Sequence, residues 1–142
     1  MAIASARVAY QRYLARFDGP TWHRLAERGA RPQRPLWAST GTKNPAYSDV
    51  RYVTQLIGPD VINTMPQQTL EAFADHGEVT RTVDAAPDEA QQALVDLASD
   101  GVDLAAITQQ LEREGVASFC ASYRELLDCI ERKLQELSPA RT

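Results

Sequence analysis

Lysine is scarce in this 142-residue chain: there are two, Lys43 and Lys133, and arginine supplies the other positive charge. Any chemistry that needs a lysine amine therefore has two candidates. The net charge is −4, so no basic field draws the chain to a nucleic-acid backbone. Cysteine is equally rare. Cys120 and Cys129 fall in one predicted helix, nine positions apart. That spacing places them about 13 Å apart along the axis and on opposite faces, which excludes a disulfide between them. His23 and His76 stand far apart with no partners at ligand spacing, so no metal site is expected. No apolar run approaches the roughly 20 residues of a membrane span. With neither a cysteine framework nor a signal peptide, the expected compartment is the cytoplasm.

What is present is a globular composition, 44% hydrophobic and 24% charged, at a length that suggests one domain. The chain is organised around residues 35–45, Pro-Leu-Trp-Ala-Ser-Thr-Gly-Thr-Lys-Asn-Pro. Its first part is a short apolar run of buried-strand length. It then breaks into hydroxyls, a glycine and a lysine before Asn44-Pro45 turns the chain. Gly41 permits close backbone approach. Ser39, Thr40 and Thr42 offer hydroxyls, and Lys43 offers a mobile point charge. Such a loop can hold a phosphate or another anion. It can equally be an ordinary polar turn with a solvated lysine, since it fits no general phosphate-loop pattern.

Around this stretch the chain reads as mostly helical. Residues 2–17 carry an apolar stripe of Ile3, Tyr10, Leu14 and Phe17, and a short helix at 21–28 buries Trp22 and Leu25. A strand at 35–39 leads to a helix from Ser48-Asp49 to about Ile57, closed by Gly58-Pro59. A second strand, 60–63, leads to a helix with Thr64 as N-cap and Gln67 completing a capping box. That helix should turn Leu70 and Phe73 inward. Strand, helix, strand in this order predicts one right-handed parallel βαβ unit. Residues 78–83 read as a short extended stretch. Pro87 opens a further helix ending by Gly101, and Asp103 caps another that should stop at Gly115. The last helix, about 116–137, sets Phe119, Tyr123, Leu126, Leu127, Ile130, Leu134 and Leu137 on one face. Residues 138–142 should fray.

The stretch Arg34-Pro-Leu-Trp-Ala-Ser-Thr-Gly-Thr-Lys-Asn-Pro-Ala-Tyr-Ser-Asp49 resembles the transaldolases of the long bacterial type. Leu56-Ile-Gly-Pro-Asp60, Asn63-Thr-Met-Pro66 and Asp75-His-Gly77 continue the likeness in order and spacing. It implies the C-terminal fragment of a (β/α)8 TIM barrel, an α/β fold, with its last two parallel strands, seven and eight, and a helical C-terminal tail. A complete barrel takes about 250 residues and at least about 200. The expected layout is one partial-barrel domain over 1–142, with a helical lead-in at 1–34, a βαβα unit at 35–77 and a helical tail at 78–142.

The resemblance further implies a transferase of carbohydrate metabolism, working in the pentose phosphate pathway through a lysine Schiff base, with no cofactor. That lysine belongs to an earlier strand with no counterpart here, so no catalytic residue is assigned in this chain and it should be inactive alone. Substrate phosphate binding is expected at Ser39 and Lys43, with Thr40 and Thr42 as weaker candidates. The expected partners are sugar phosphates and either the missing N-terminal barrel portion or a second copy, with no nucleic acid and no membrane. Two lone parallel strands expose both edges, which also suits a non-catalytic interaction subunit or a remnant that completes a partner barrel.

Overall fold

The computed structural model describes residues 1–137, in two units that divide between Ser99 and Asp100. In the first, α1 (Ala2–Arg16) buries Val8 and Tyr10, with Ile3, Ala6 and Tyr13 packed around the same core. Leu14, expected on the buried stripe, is exposed. From Tyr10 an aromatic series runs down the helix through Tyr13 and Phe17 to Trp22, at centroid separations of 5.8, 5.0 and 4.6 Å. It ends on α2 (Pro20–Ala26), whose first position is a proline because the missing N–H has no helical partner there. Leu25, expected inward, is exposed.

Two strands follow, β1 (Leu36–Trp37) and β2 (Ile62–Asn63), paired in parallel with Leu36 opposite Ile62 and Trp37 opposite Asn63. Both are shorter than the expected strands, 35–39 and 60–63. Ser39 and Asp60 each take a φ of 57°, which removes them from extended backbone. The connection between the strands carries α3 (Arg51–Thr54), a single turn where a helix from Ser48 to Ile57 was expected. Neither Ser48 nor Asp49 caps it. The Asp49 carboxylate is engaged by His76 instead.

After β2, α4 (Gln67–His76) starts two residues later than a cap at Thr64 would allow. Pro66 is the reason, because proline disfavours helical backbone at the residue before it, here Met65. The Thr64 hydroxyl faces the Trp37 carbonyl at 3.4 Å, and Gln67 reaches forward to Glu71. On α4 it is Thr69 that is buried, while Leu70 points outward.

Residues 78–83 form no strand, but they are bound to the sheet connection. The N–H groups of Thr82 and Val83 both donate to the Ile57 carbonyl, at 2.9 and 3.0 Å. The Thr82 hydroxyl donates to the Thr54 carbonyl at 2.6 Å and accepts from the Ile57 N–H. This brings Val83 fully inside, against Tyr10 and Leu56, to form the centre of the core. Trp37 closes it on the strand side, donating its indole N–H to the Leu56 carbonyl at 3.2 Å. The Tyr10 hydroxyl donates to the Pro59 carbonyl. Burial of side chains of this size stabilises by roughly 1.5–3 kcal/mol each. Helix α5 (Pro87–Ser99) opens on its proline, carries Asp88 and Glu89 in its first turn where the helix dipole favours them, and packs its buried Ala90 side against α1.

The second unit is α6 (Leu104–Leu137), one helix of 34 residues. Asp103 caps it as its position predicts, accepting from the Ala106 N–H at 2.9 Å. No break occurs at Gly115. A helical glycine costs about 1 kcal/mol relative to alanine, too little by itself to end a helix of this length. The apolar face from Phe119 to Leu137 is exposed, up to 82% at Phe119. Cys120 and Cys129 both lie on this helix as free thiols. Residues 138–142, expected to fray, lie outside the described residues.

Candidate functional site

The loop leaving β1 is shaped residue by residue. Ser39 holds left-handed backbone at φ 57°, a conformation that costs a non-glycine residue on the order of 1–3 kcal/mol. The turn it makes carries Thr40 inside. The Thr40 hydroxyl lies 2.6 Å from Asn63 Oδ1 and 3.2 Å from the Thr64 carbonyl, and its N–H reaches the same carbonyl at 3.4 Å. Thr40 therefore ties the loop after β1 to the loop after β2. Its single hydroxyl proton is committed to that work.

Gly41 comes next because nothing larger fits well. A Cβ there would meet Pro66 Cγ and Thr69 Oγ1, each at 3.2 Å, tighter than ordinary contact. The loop thus crosses closely over the first turn of α4. Thr42 is half-buried, and its Oγ1 is buried with no hydrogen-bond partner. Lys43 is exposed and joins no ion pair among the described residues. The turn then closes through the Asn44 side chain, which accepts from the Ala46 N–H at 2.9 Å. Tyr47 stacks under the Arg51 guanidinium, 4.2 Å from the ring centroid.

These residues line a cleft of about 490 Å³ at the C-terminal end of β1, with Ala2 and Ala6 of α1 and Tyr52 among its other walls. All four candidates, Ser39, Thr40, Thr42 and Lys43, border it. They divide by availability. Ser39 and Lys43 are exposed, Thr42 carries an unsatisfied hydroxyl, and Thr40 is occupied with holding the loop. The arrangement offers hydroxyl donors and one cation to an anion. Lys43 is exposed, whereas a nucleophilic lysine is a desolvated one.

One group was missed by sequence reasoning. His76, at the end of α4, points Nε2 at Asp49 Oδ1, 2.9 Å away, and Nδ1 at Asp75 Oδ2, 3.1 Å away. The hydrogen bond to Asp49, then that to Asp75, raises the His76 pKa above its ordinary value. The same bond to His76 lowers the Asp49 pKa. Asp49 and His76 are 27 positions apart, so no local spacing signals their contact. Among the described residues no cluster of three or more histidine, cysteine or acidic side chains could hold a metal ion, and no helix is long and apolar enough to cross a membrane.

Residues 1–130, which include the whole cleft, match the family model described as Transaldolase/Fructose-6-phosphate aldolase. The chain belongs to that family. Among curated relatives, it is 52% identical over 134 residues to a transaldolase of Parafrankia sp. (strain EAN1pec), a match over 94% of this chain and 36% of the relative. A transaldolase of Thiobacillus denitrificans is 51% identical over 126 residues, covering 89% of this chain and 35% of that protein. For the transaldolase of Mycolicibacterium smegmatis the figures are 48% over 133 residues, 93% and 36%. The chain spans about a third of the length of the curated relatives it matches. These relatives are each named transaldolase.

Proposed function

We propose that this chain is the phosphate-binding, C-terminal part of a transaldolase, with β1 and β2 as strands seven and eight of a (β/α)8 barrel. The complete enzyme would transfer a dihydroxyacetone unit from sedoheptulose 7-phosphate to glyceraldehyde 3-phosphate, giving erythrose 4-phosphate and fructose 6-phosphate, in the cytoplasmic pentose phosphate pathway. The observation that carries the reading is the cleft at the end of β1, where Ser39, Thr42 and Lys43 converge in a chain of this family. Loops after strands seven and eight are where such barrels build phosphate sites. Ser39 and Thr42 would position the phosphate oxygens through their hydroxyls, Lys43 would attract the dianion, and Thr40 would hold the loop in shape. The Schiff-base lysine would come from a barrel strand outside this sequence. The chain alone would therefore turn over no substrate.

An NMR titration with inorganic phosphate tests the site. Shifts are expected at residues 39–43 with no better than millimolar affinity, on the order of 4 kcal/mol. Lys43→Ala should abolish them, Ser39→Ala should weaken them, and Lys133→Ala should change nothing. Shifts around Lys133 that spared 39–43 would refute the assignment. Borohydride with fructose 6-phosphate should leave the mass unchanged, and an adduct on Lys43 would make that residue a nucleophile.

A second reading, a non-catalytic subunit that completes a partner's barrel or self-associates, is favoured by the two-stranded sheet itself. Both outer edges of β1 and β2 lack a strand partner among the described residues, and Leu36 is 51% exposed. Unpaired edges of this kind recruit another chain. Sedimentation as a compact monomer at micromolar concentration would count against it.

A further inference from the structure

The loop that carries Ser39, Thr42 and Lys43 is fastened to α4 at two places. At the near end, Gly41 lies against Pro66 and Thr69 in the first turn of α4. At the far end, Asp49, just before α3, meets His76 in the last turn of the same helix. The loop from 41 to 49 is therefore strung between the two ends of one helix. The near attachment is van der Waals contact and has no charge. The far attachment is a charged hydrogen bond, and its strength depends on a proton.

His76 has a carboxylate oxygen facing each ring nitrogen. An ionised carboxylate only accepts, and a neutral imidazole has one N–H to give. Both contacts are satisfied together only when the ring is imidazolium. Once the ring is neutral, the tautomer that keeps Asp49 gives up Asp75, and the tautomer that keeps Asp75 gives up Asp49. We propose that Asp49, His76 and Asp75 form a proton-controlled clasp that fixes the far end of the 41–49 loop and so positions Lys43, making His76 a positioning residue for the anion site. The charged groups acting on His76 are Asp49 from the loop before α3 and Asp75 from α4.

The signs define a window. The His76 pKa is raised, so its contribution is complete below the ordinary histidine value of about 6.5 and is lost as pH rises through the raised value. The Asp49 pKa is lowered, so its contribution is complete above the ordinary value of about 3.9 and is lost as pH falls through the lowered value. The clasp is closed between roughly pH 4 and pH 6.5. Above that range the tie to Asp49 loosens but does not vanish, because one tautomer retains it. The expected effect is correspondingly modest.

The consequence for Lys43 rests on the anion-site reading above, while the clasp itself does not. The test uses the full chain and sulfate, whose charge does not change across the window as phosphate's does. Without ligand, the backbone amides of 41–49 should shift with the titration of the His76 ring, followed on its own carbon resonances. In His76→Gln and in Asp49→Asn those amide shifts should disappear while the remainder of the spectrum shows a folded chain. Asp75→Asn should lower the His76 pKa and keep the amide shifts coupled to it. Sulfate should bind the wild-type loop about two- to fivefold more weakly at pH 8.5 than at pH 5.5, a difference absent in His76→Gln. Loop amides that ignore the titration of His76 would overturn the clasp whatever sulfate does. Sulfate that shifts nothing at 39–43 at either pH would overturn the anion-site reading, and the loop amides would still decide the clasp.

Discussion

Gly58→Ala, a one-carbon change, tests the centre of the core. A Cβ built on Gly58 would fall inside the radius of Val83 Cγ1, with Val83 Cβ at 3.2 Å and the Tyr10 ring at 3.9 Å. Val83 is fully buried, its N–H and that of Thr82 both donate to the Ile57 carbonyl, and its branched side chain has little rotamer freedom. Relief must therefore come from moving backbone. Overpacking of this kind costs about 1–3 kcal/mol. Replacing glycine also restricts the unfolded chain, which returns about 0.4–1 kcal/mol because φ at Gly58 is not positive. The net expectation is a loss of about 1–2 kcal/mol. Val83→Ala alone should cost about 2 kcal/mol for two lost methyl groups and the space they leave. In the double mutant the new methyl occupies part of that space, so the two losses should fall short of their sum by about 1–2 kcal/mol. Urea unfolding should be followed on the NMR resonances of residues 1–99, because α6 adds 34 helical residues of its own to any measure of helix content. Strict additivity of the two substitutions would refute the claim that Gly58 and Val83 are in contact.

Ser39→Gly removes a hydroxyl and a backbone penalty together. The chain should become about 1 kcal/mol more stable to urea while its phosphate shifts weaken; a loss of stability would mean the φ of 57° carries no strain. Thr40→Val keeps the shape and deletes the donor to Asn63 and Thr64, leaving the half-buried Asn63 Oδ1 short of one partner. It should cost about 1–3 kcal/mol and broaden the amide signals of both strand-end loops, whereas Thr42→Val should leave stability within about 0.5 kcal/mol, since its Oγ1 has no partner to lose.

Much of the candidate loop was legible because its signals are local. A run of hydroxyls around one glycine after an apolar stretch identified the loop, and Pro87 and Asp103 sit at helix starts where backbone chemistry puts them. What sequence misplaced depended on distant partners. Thr64 has the composition of a cap, but Pro66 delays the helix and Trp37 takes up its hydroxyl. Leu70 looked like the inward side chain of α4, yet the Gly41 loop crosses over Thr69 and buries that residue. Asp49 read as a cap for the same local reason, and only the return of the chain at His76 gives it another role. Gly115 failed as a stop because a lone glycine in the helix interior is merely unfavourable. The strands came out at two residues each because Ser39 and Asp60 leave extended backbone, which residue type alone does not announce.

The indole of Trp37 has a use beyond closing the core. It forms part of the cleft wall and is hydrogen-bonded to the Leu56 carbonyl, so its emission reports the polarity and water content of the cleft. The other tryptophan, Trp22, stands edge-on to Phe17 outside that cleft. Trp22→Phe would leave a chain with one fluorophore, already built into the wall beside Ser39 and Thr42. Occupancy of the cleft, or the docking of another chain over it, could then be read from intrinsic fluorescence at low protein concentration without any attached label.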